Sequence, residues 1–169
     1  MGKRSAGILV YRLRDGTLEV FLVHPGGPFW KKRDAGAWSI PKGELAEREE
    51  PLQAAKREFR EETGFVLEGN YLAMTPLKQP SGKLVYAWAV EGNCDALSIQ
   101  SNAFCLEWPP RSGKYEEFPE VDRAAWLPIP DAMDKILPGQ RGLLVELLRM
   151  VADGSTRAGS RESSDLSDR

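Results

Sequence analysis

Hydrophobic and polar positions along the chain follow two different periods. Ser5 to Leu13 (SAGILVYRL) and Leu18 to Val23 (LEVFLV) are strand-like apolar runs, and Asp15-Gly16 between them is a hairpin signal. The pattern predicts an opening two-stranded ribbon. His24 to Trp30 (HPGGPFW) then breaks it with two prolines and two glycines, and Ala37 to Ile40 returns as a short strand leading into Pro41-Lys42-Gly43. From Pro51 to Thr63 the period becomes helical: at about 100° per residue Leu52, Ala55 and Phe59 fall on one side as a packing stripe. Pro51 suits a first helical turn, and Gly64 is a C-terminal stop.

Beyond the helix, Val66 to Ala73 and Lys83 to Val90 read as strands on either side of the turn Gln79-Pro80-Ser81-Gly82. Asn93 to Asn102 is a polar excursion, Phe104 to Trp108 a short strand, Pro109 to Phe118 a long loop, and Val121 to Leu127 a final strand. Pro130 to Leu137 starts a helix and Gln140 to Val151 makes a second, with Leu143, Leu144, Leu147, Leu148 and Val151 at helical spacing. That stripe suits core packing, with a dimer face as the alternative, so monomer and homodimer both stay open. Residues 152–169 carry Leu166 as their one large apolar side chain and are expected to form a disordered tail after a folded domain of residues 1–151. Strands, one intervening helix and closing helices predict an α+β fold, a mixed sheet with helices packed against its faces.

Composition narrows the function. A chain of 169 residues suits one domain with a full core, and 23 basic against 25 acidic residues, net −2, give no bulk electrostatic case for nucleic acid or an anionic membrane. Cys94 and Cys105 lack metal-ligand spacing and read as free thiols in a cytoplasmic protein. No apolar run reaches the length of a membrane span, and charge interrupts the N-terminus before a signal-peptide core could form.

The chemistry concentrates on the first helix. Glu58, Glu61 and Glu62 share the sector beside the packing stripe, with Arg57 one turn before Glu61 and placed to orient it. A merely solvated acidic face would intersperse Lys and Arg among these carboxylates. Three mutually repelling carboxylates should have raised pKa values unless a cation sits among them, which suits a hard, oxygen-seeking metal such as Mg²⁺.

The stretch Gly43 to Phe65, GELAEREEPLQAAKREFREETGF, also resembles the signature of the Nudix hydrolases at every fixed position: Gly43, Glu49, Arg57, Glu58, Phe59, Glu61, Glu62, Gly64 and Phe65. The resemblance implies an α/β/α sandwich with a mixed central sheet and this helix on one face. It implies hydrolysis of a nucleoside diphosphate linked to another group, by water attacking phosphorus, with Mg²⁺ as cofactor and Mn²⁺ as a substitute. Glu58 and Glu62 correspond to metal ligands, Glu61 to a ligand or to the base held by Arg57, and Gly43 to a carbonyl ligand. Glu49 supports the loop and helix, and Gly64 ends the helix. In some members the base comes from a later loop, where Glu116 and Glu117 lie; Glu117 is the first choice and Glu120 the reserve.

Substrate contacts are expected from Lys42, which abuts the signature, from Trp30 or Phe29 stacking on a base, and from Lys32, with Tyr115, Arg111 and Lys114 as further candidates. His24 reads as a turn residue ahead of Pro25, with catalysis as the alternative. Trp38-Ser39-Ile40-Pro41-Lys42-Gly43 resembles the W-x-x-P-K-G sequence of members acting on diadenosine or diphosphoinositol polyphosphates. The tyrosine that the diadenosine group carries beyond the signature is replaced here by Ser81, Gly82 and Lys83, while Pro80 lies where the ADP-ribose group has a proline. The expectation is a small-molecule nucleotide substrate, a nucleoside or dinucleoside polyphosphate. ADP-ribose is the alternative, and a non-catalytic nucleotide-binding module or an interaction protein working through its tail are rival classes.

Overall fold

β1 (Arg4–Arg14) and β2 (Thr17–Pro25) form the expected ribbon, turning through Asp15 and Gly16 at φ of 52° and 78°. The computed structural model describes residues 3–165, with side chains described through residue 154. The strands pair from Tyr11↔Val20 to Arg14↔Thr17 and then separate. Into the gap comes the segment 39–44: Val23 and Ser39 exchange backbone hydrogen bonds of 2.9 and 3.0 Å, and β3 (Lys42–Glu44) pairs with Ser5, Ala6 and Gly7 of β1. Gly7 makes this wedge possible. A Cβ there would stand 2.6 Å from the Pro41 carbonyl oxygen and 2.7 Å from Lys42 Cβ.

On its other edge β1 runs parallel to β6 (Leu84–Glu91), which carries the two-residue strands β4 (Leu72–Ala73) and β5 (Leu77–Lys78). β9 (Val121–Pro128) closes the far edge against β2. Both faces of the seven-stranded sheet are covered, which is why β1 reads as a continuous apolar run rather than an alternation. Ala6, Ile8, Val10 and Phe21 meet Ala54, Ala55 and Phe59 of α1 (Pro51–Thr63) on one face. Leu9, Val20 and Leu22 face Ala132 of α2 (Ile129–Lys135) and Leu143, Leu144 and Leu147 of α3 (Arg141–Asp165) on the other. This is the expected α/β/α sandwich.

α1 has the predicted bounds. Pro51 opens it, and Gly64 caps it in the left-handed region at φ 82°, its N–H donating to the Arg60 carbonyl. Its buried face is Ala54, Ala55, Phe59 and Thr63, with Leu52 at the margin.

Several elements differ from expectation. Ala37–Ile40 makes only isolated bridges, because the wedge pairs fully at Lys42–Glu44 instead. Of Val66–Ala73 only Leu72–Ala73 is strand, and Val66 is largely exposed. The expected loop Pro109–Phe118 is half hairpin: β8 (Tyr115–Pro119) pairs with β7 (Ala103–Glu107) as a separate two-stranded sheet. Its strand escapes pattern reading because β8 is exposed on nearly every residue, so no alternation marks it. His24 is no turn residue but a fully buried member of β2. α3 continues past Val151 to Asp165, and residues 166–169 of the expected tail lie outside the described residues.

Gly7→Ala should test the wedge. The nearest obstacle is backbone, which cannot swing aside, so a loss of about 1–3 kcal/mol is expected, read as a lower urea midpoint at unchanged slope.

Candidate active site

Three carboxylates converge where α1, β3 and the start of β9 meet. Ligand atoms of Glu58, Glu62 and Glu120 all lie within 4.8 Å of one another, the one such group found among the described residues. Backbone sets the position of each. Glu62 Oε2 accepts from the Lys42 N–H at 2.9 Å. Glu58 lies against Gly43, where a Cβ would come within 2.1 Å of its carboxyl group, so glycine is required beside it.

Glu120 is placed by a relay from the end of α1. Asn102 N–H donates to the Glu61 carbonyl and Gln100 N–H to that of Thr63, both at 2.8 Å. Asn102 in turn accepts from Glu120 N–H at 2.8 Å, and Gly26 N–H donates to the Glu120 carbonyl at 2.9 Å.

Arg57 is the counter-charge. It donates to both carboxylate oxygens of Glu49 at 2.8 and 2.9 Å, to Glu58 at 2.8 Å, to Glu61 at 3.1 Å and to the Glu44 carbonyl at 3.1 Å. Glu49 also accepts from the Ala46 N–H, and these bonds hold its pKa at about 2, the Arg57 hydrogen bond first. Glu49 therefore ties the loop to the helix. Glu61 stands beside the trio, paired with Arg57, rather than within it.

The trio itself is only partly compensated, by Arg57 at Glu58 and by Lys42 at Glu62. Burial pushes Glu62 up to about 8, with the Glu58 and Glu120 carboxylates adding to the rise. Burial is also the leading cause of the raised values of Glu58 and Glu120. Partly buried oxygen donors that resist ionisation are the donor set a hard divalent cation satisfies, so these residues fit a metal.

Glu62 and Glu120 also border a cavity of about 210 Å³. Trp30, Ile40, Val121 and Leu137 supply apolar wall, and Lys42 enters beside the carboxylates. Burial lowers the Lys42 pKa and the Lys83 charge lowers it further. Lys83, the residue before β6, was not anticipated at the site. Of the other expected contacts, Lys32 is exposed on the loop carrying Trp30. Phe29 is exposed, edge-on to Trp108 at 5.3 Å. Tyr115 and Glu117 are exposed in β8, where Glu117 faces Cys105, and neither borders the cavity. The reserve residue Glu120 joins the trio in place of Glu117. Glu120 sits at the one-residue joint between β8 and β9, and its position next to a strong strand was the signal available in sequence.

Comparison with known proteins places the chain in a family. The NUDIX domain model matches residues 2–147, so the chain belongs to the NUDIX family. It is 31% identical over 143 residues to an 8-oxo-(d)GTP phosphatase of Mycolicibacterium smegmatis, covering 83% of this chain and 37% of that protein. It is 29% identical over 126 residues to an RNA pyrophosphohydrolase of Mesorhizobium japonicum, covering 66% of this chain and 68% of the other. The match thus spans little more than a third of the mycobacterial protein. Among solved structures, a C. elegans Ap4A hydrolase binary complex superposes with a TM-score of 0.63 at 22% identity, over 89% of this chain and 98% of that one. The NUDIX domain of Shewanella oneidensis NrtR, complexed with ADP ribose, gives 0.61 at 18%, over 90% and 89%. At these identities the structures share the fold. No helix among the described residues is long and apolar enough to cross a membrane.

The raised Glu62 has a stability consequence. Between its ordinary 4.5 and about 8 the folded protein holds a proton that the unfolded chain releases, so Glu62 contributes stability that is lost as pH rises through that window. With chelator, wild type should therefore lose more stability than Glu62→Gln between pH 5 and pH 8 in calorimetry. Added Mg²⁺ should raise the wild-type Tm more at pH 8 than at pH 5.

Proposed function

We propose that the chain is a Mg²⁺-dependent pyrophosphohydrolase that cleaves a phosphoanhydride bond of a nucleoside or dinucleoside polyphosphate. The observation that carries this reading is the carboxylate trio at the edge of a largely apolar cavity, with Lys42 beside it. Glu58, Glu62 and Glu120, with the Gly43 carbonyl, would hold the metal. When bound, Mg²⁺ supplies the Lewis acid that acidifies water and neutralises phosphate charge.

The chain's own groups do the rest. Glu61, steadied by Arg57, takes a proton from the attacking water as its oxygen bonds to phosphorus and the bridging P–O bond breaks. Lys42 meets the phosphate charge and Trp30 packs against the base. Lys32 and Tyr115 stay as outer contacts, and Glu117 as the second candidate base.

The names of the relatives, an 8-oxo-(d)GTP phosphatase, an RNA pyrophosphohydrolase and an Ap4A hydrolase, support a polyphosphate substrate. ADP-ribose is the second reading, favoured by the NrtR complex. Pro80 adds little to it: Gln79 N–H bonds to the Lys83 carbonyl and Gly82 N–H to the Gln79 carbonyl, both at 2.8 Å, so a local turn accounts for the proline.

Turnover of nucleoside triphosphates including 8-oxo-dGTP, diadenosine polyphosphates, diphosphoinositols, 5′-triphosphorylated RNA and ADP-ribose should be measured with Mg²⁺ or chelator. Mg²⁺-dependent cleavage of a polyphosphate is expected, falling about 10²- to 10⁴-fold in Glu61→Gln. Survival in Glu61→Gln with loss in Glu117→Gln would move the base, and tight binding without cleavage would make the protein a nucleotide sensor. The folded unit is proposed to be residues 1–151; deleting 152–169 should leave kcat/KM unchanged.

A further inference from the structure

His24 is fully buried and has no part in the chemistry above. Its Nδ1 lies 2.8 Å from Asp122 Oδ1 and its Nε2 2.6 Å from the Arg33 carbonyl oxygen. A carbonyl can only accept, so Nε2 must carry a hydrogen. The Nδ1–Oδ1 contact needs one further hydrogen, borne by the ring or by the carboxyl group, so His24 bridges Asp122 and the Arg33 peptide.

The Arg33 peptide so held belongs to the loop that supplies the aromatic wall of the cavity. Arg33 N–H donates to the Trp30 carbonyl at 2.9 Å, and the Arg33 guanidinium lies over the Trp30 ring at 5.4 Å. The neighbouring Asp34 accepts from Trp38 Nε1 at 2.8 Å and pairs with Lys135 of α2. Trp38 packs edge-on to His24 at 5.3 Å, with Arg123 of β9 over its ring at 5.5 Å. The charged groups around His24 are thus Asp122 and Arg123 from β9, Arg33 and Asp34 from the loop, and Lys135 from α2.

Resting on the function proposed above, we propose that His24 is a positioning residue: by bridging Asp122 and the Arg33 peptide it fastens the loop and holds Trp30 in the cavity wall, so that substrate affinity depends on the bridge. Loss of the bridge loosens the loop and raises KM. The step of bond cleavage, carried by groups on α1, is left alone.

His24 is the chain's one histidine, so ¹⁵N-histidine NMR of the ligand-free protein reads it without ambiguity and without any assay of activity. A hydrogen on Nε2 is expected. A bare Nε2 would overturn the proposal. Kinetically, His24→Gln should raise KM about tenfold, the worth of one such hydrogen bond, with kcat within about threefold; unchanged KM, or a fall in kcat alone, would overturn it. Asp122→Ala is the companion variant should His24→Gln not fold: it removes the far anchor of the bridge, and KM should rise with kcat within about threefold. An unchanged KM in Asp122→Ala would overturn the proposal. If no substrate is cleaved at all, the proposed function fails, while the ¹⁵N spectrum still decides whether Nε2 donates to the Arg33 carbonyl.

Discussion

The backbone from Pro41 to Gly43 is squeezed from two sides, and the site depends on that squeeze. Gly7 admits it on the β1 side, and the bare α-carbon of Gly43 admits the Glu58 carboxylate on the other. With both approaches open, the Lys42 N–H reaches Glu62 and β3 completes the edge of β1 that β2 has left. A side chain at Gly7 would push this backbone off β1, one at Gly43 would push β3 and α1 apart, and either way the carboxylates would lose their common centre.

Charge then works against the geometry. Bringing Glu58, Glu62 and Glu120 together in partial burial raises all three pKa values, an arrangement a protein selected for stability alone would not favour. Arg57 offsets part of the repulsion, yet it is spread over Glu49, Glu58 and Glu61, so Glu62 and Glu120 receive none of its hydrogen bonds. The unsatisfied remainder is charge of the kind a hard divalent cation neutralises. The same strain makes folding at this site depend on pH.

The cavity wall is held by a different set of forces. Trp30 stands on a loop with little regular structure, and the loop is fastened at its far end by the His24–Arg33 bond and by Asp34 between Trp38 and Lys135. Trp38, within the W-x-x-P-K-G sequence, works in this fastening: its indole N–H is spent on Asp34 and its ring is nearly buried. The aromatic cavity wall and the α1 carboxylates are therefore mounted on separate supports, one behind the loop and one along the helix.

The features legible from the chain alone are those that local physics dictates. The ribbon follows from Asp15-Gly16, α1 from Pro51, Gly64 and its packing stripe, and the helical acid cluster from spacing alone. Residues 43–65 carried the family as well, since one short segment holds both the signature and most of the carboxylates. The tertiary structure decided what depends on contacts distant in sequence. Glu120 outranks Glu117 only because Asn102 bonds to both the end of α1 and Glu120, a relay with no periodic mark. β8 escaped notice because an exposed strand has no buried face to pattern it. His24 was misplaced because its two partners, Asp122 and the Arg33 carbonyl, meet it only once β2, β9 and the loop have folded together. Periodicity records which face of one element is buried; it holds no record of which backbone carbonyl or carboxylate from another element will arrive there.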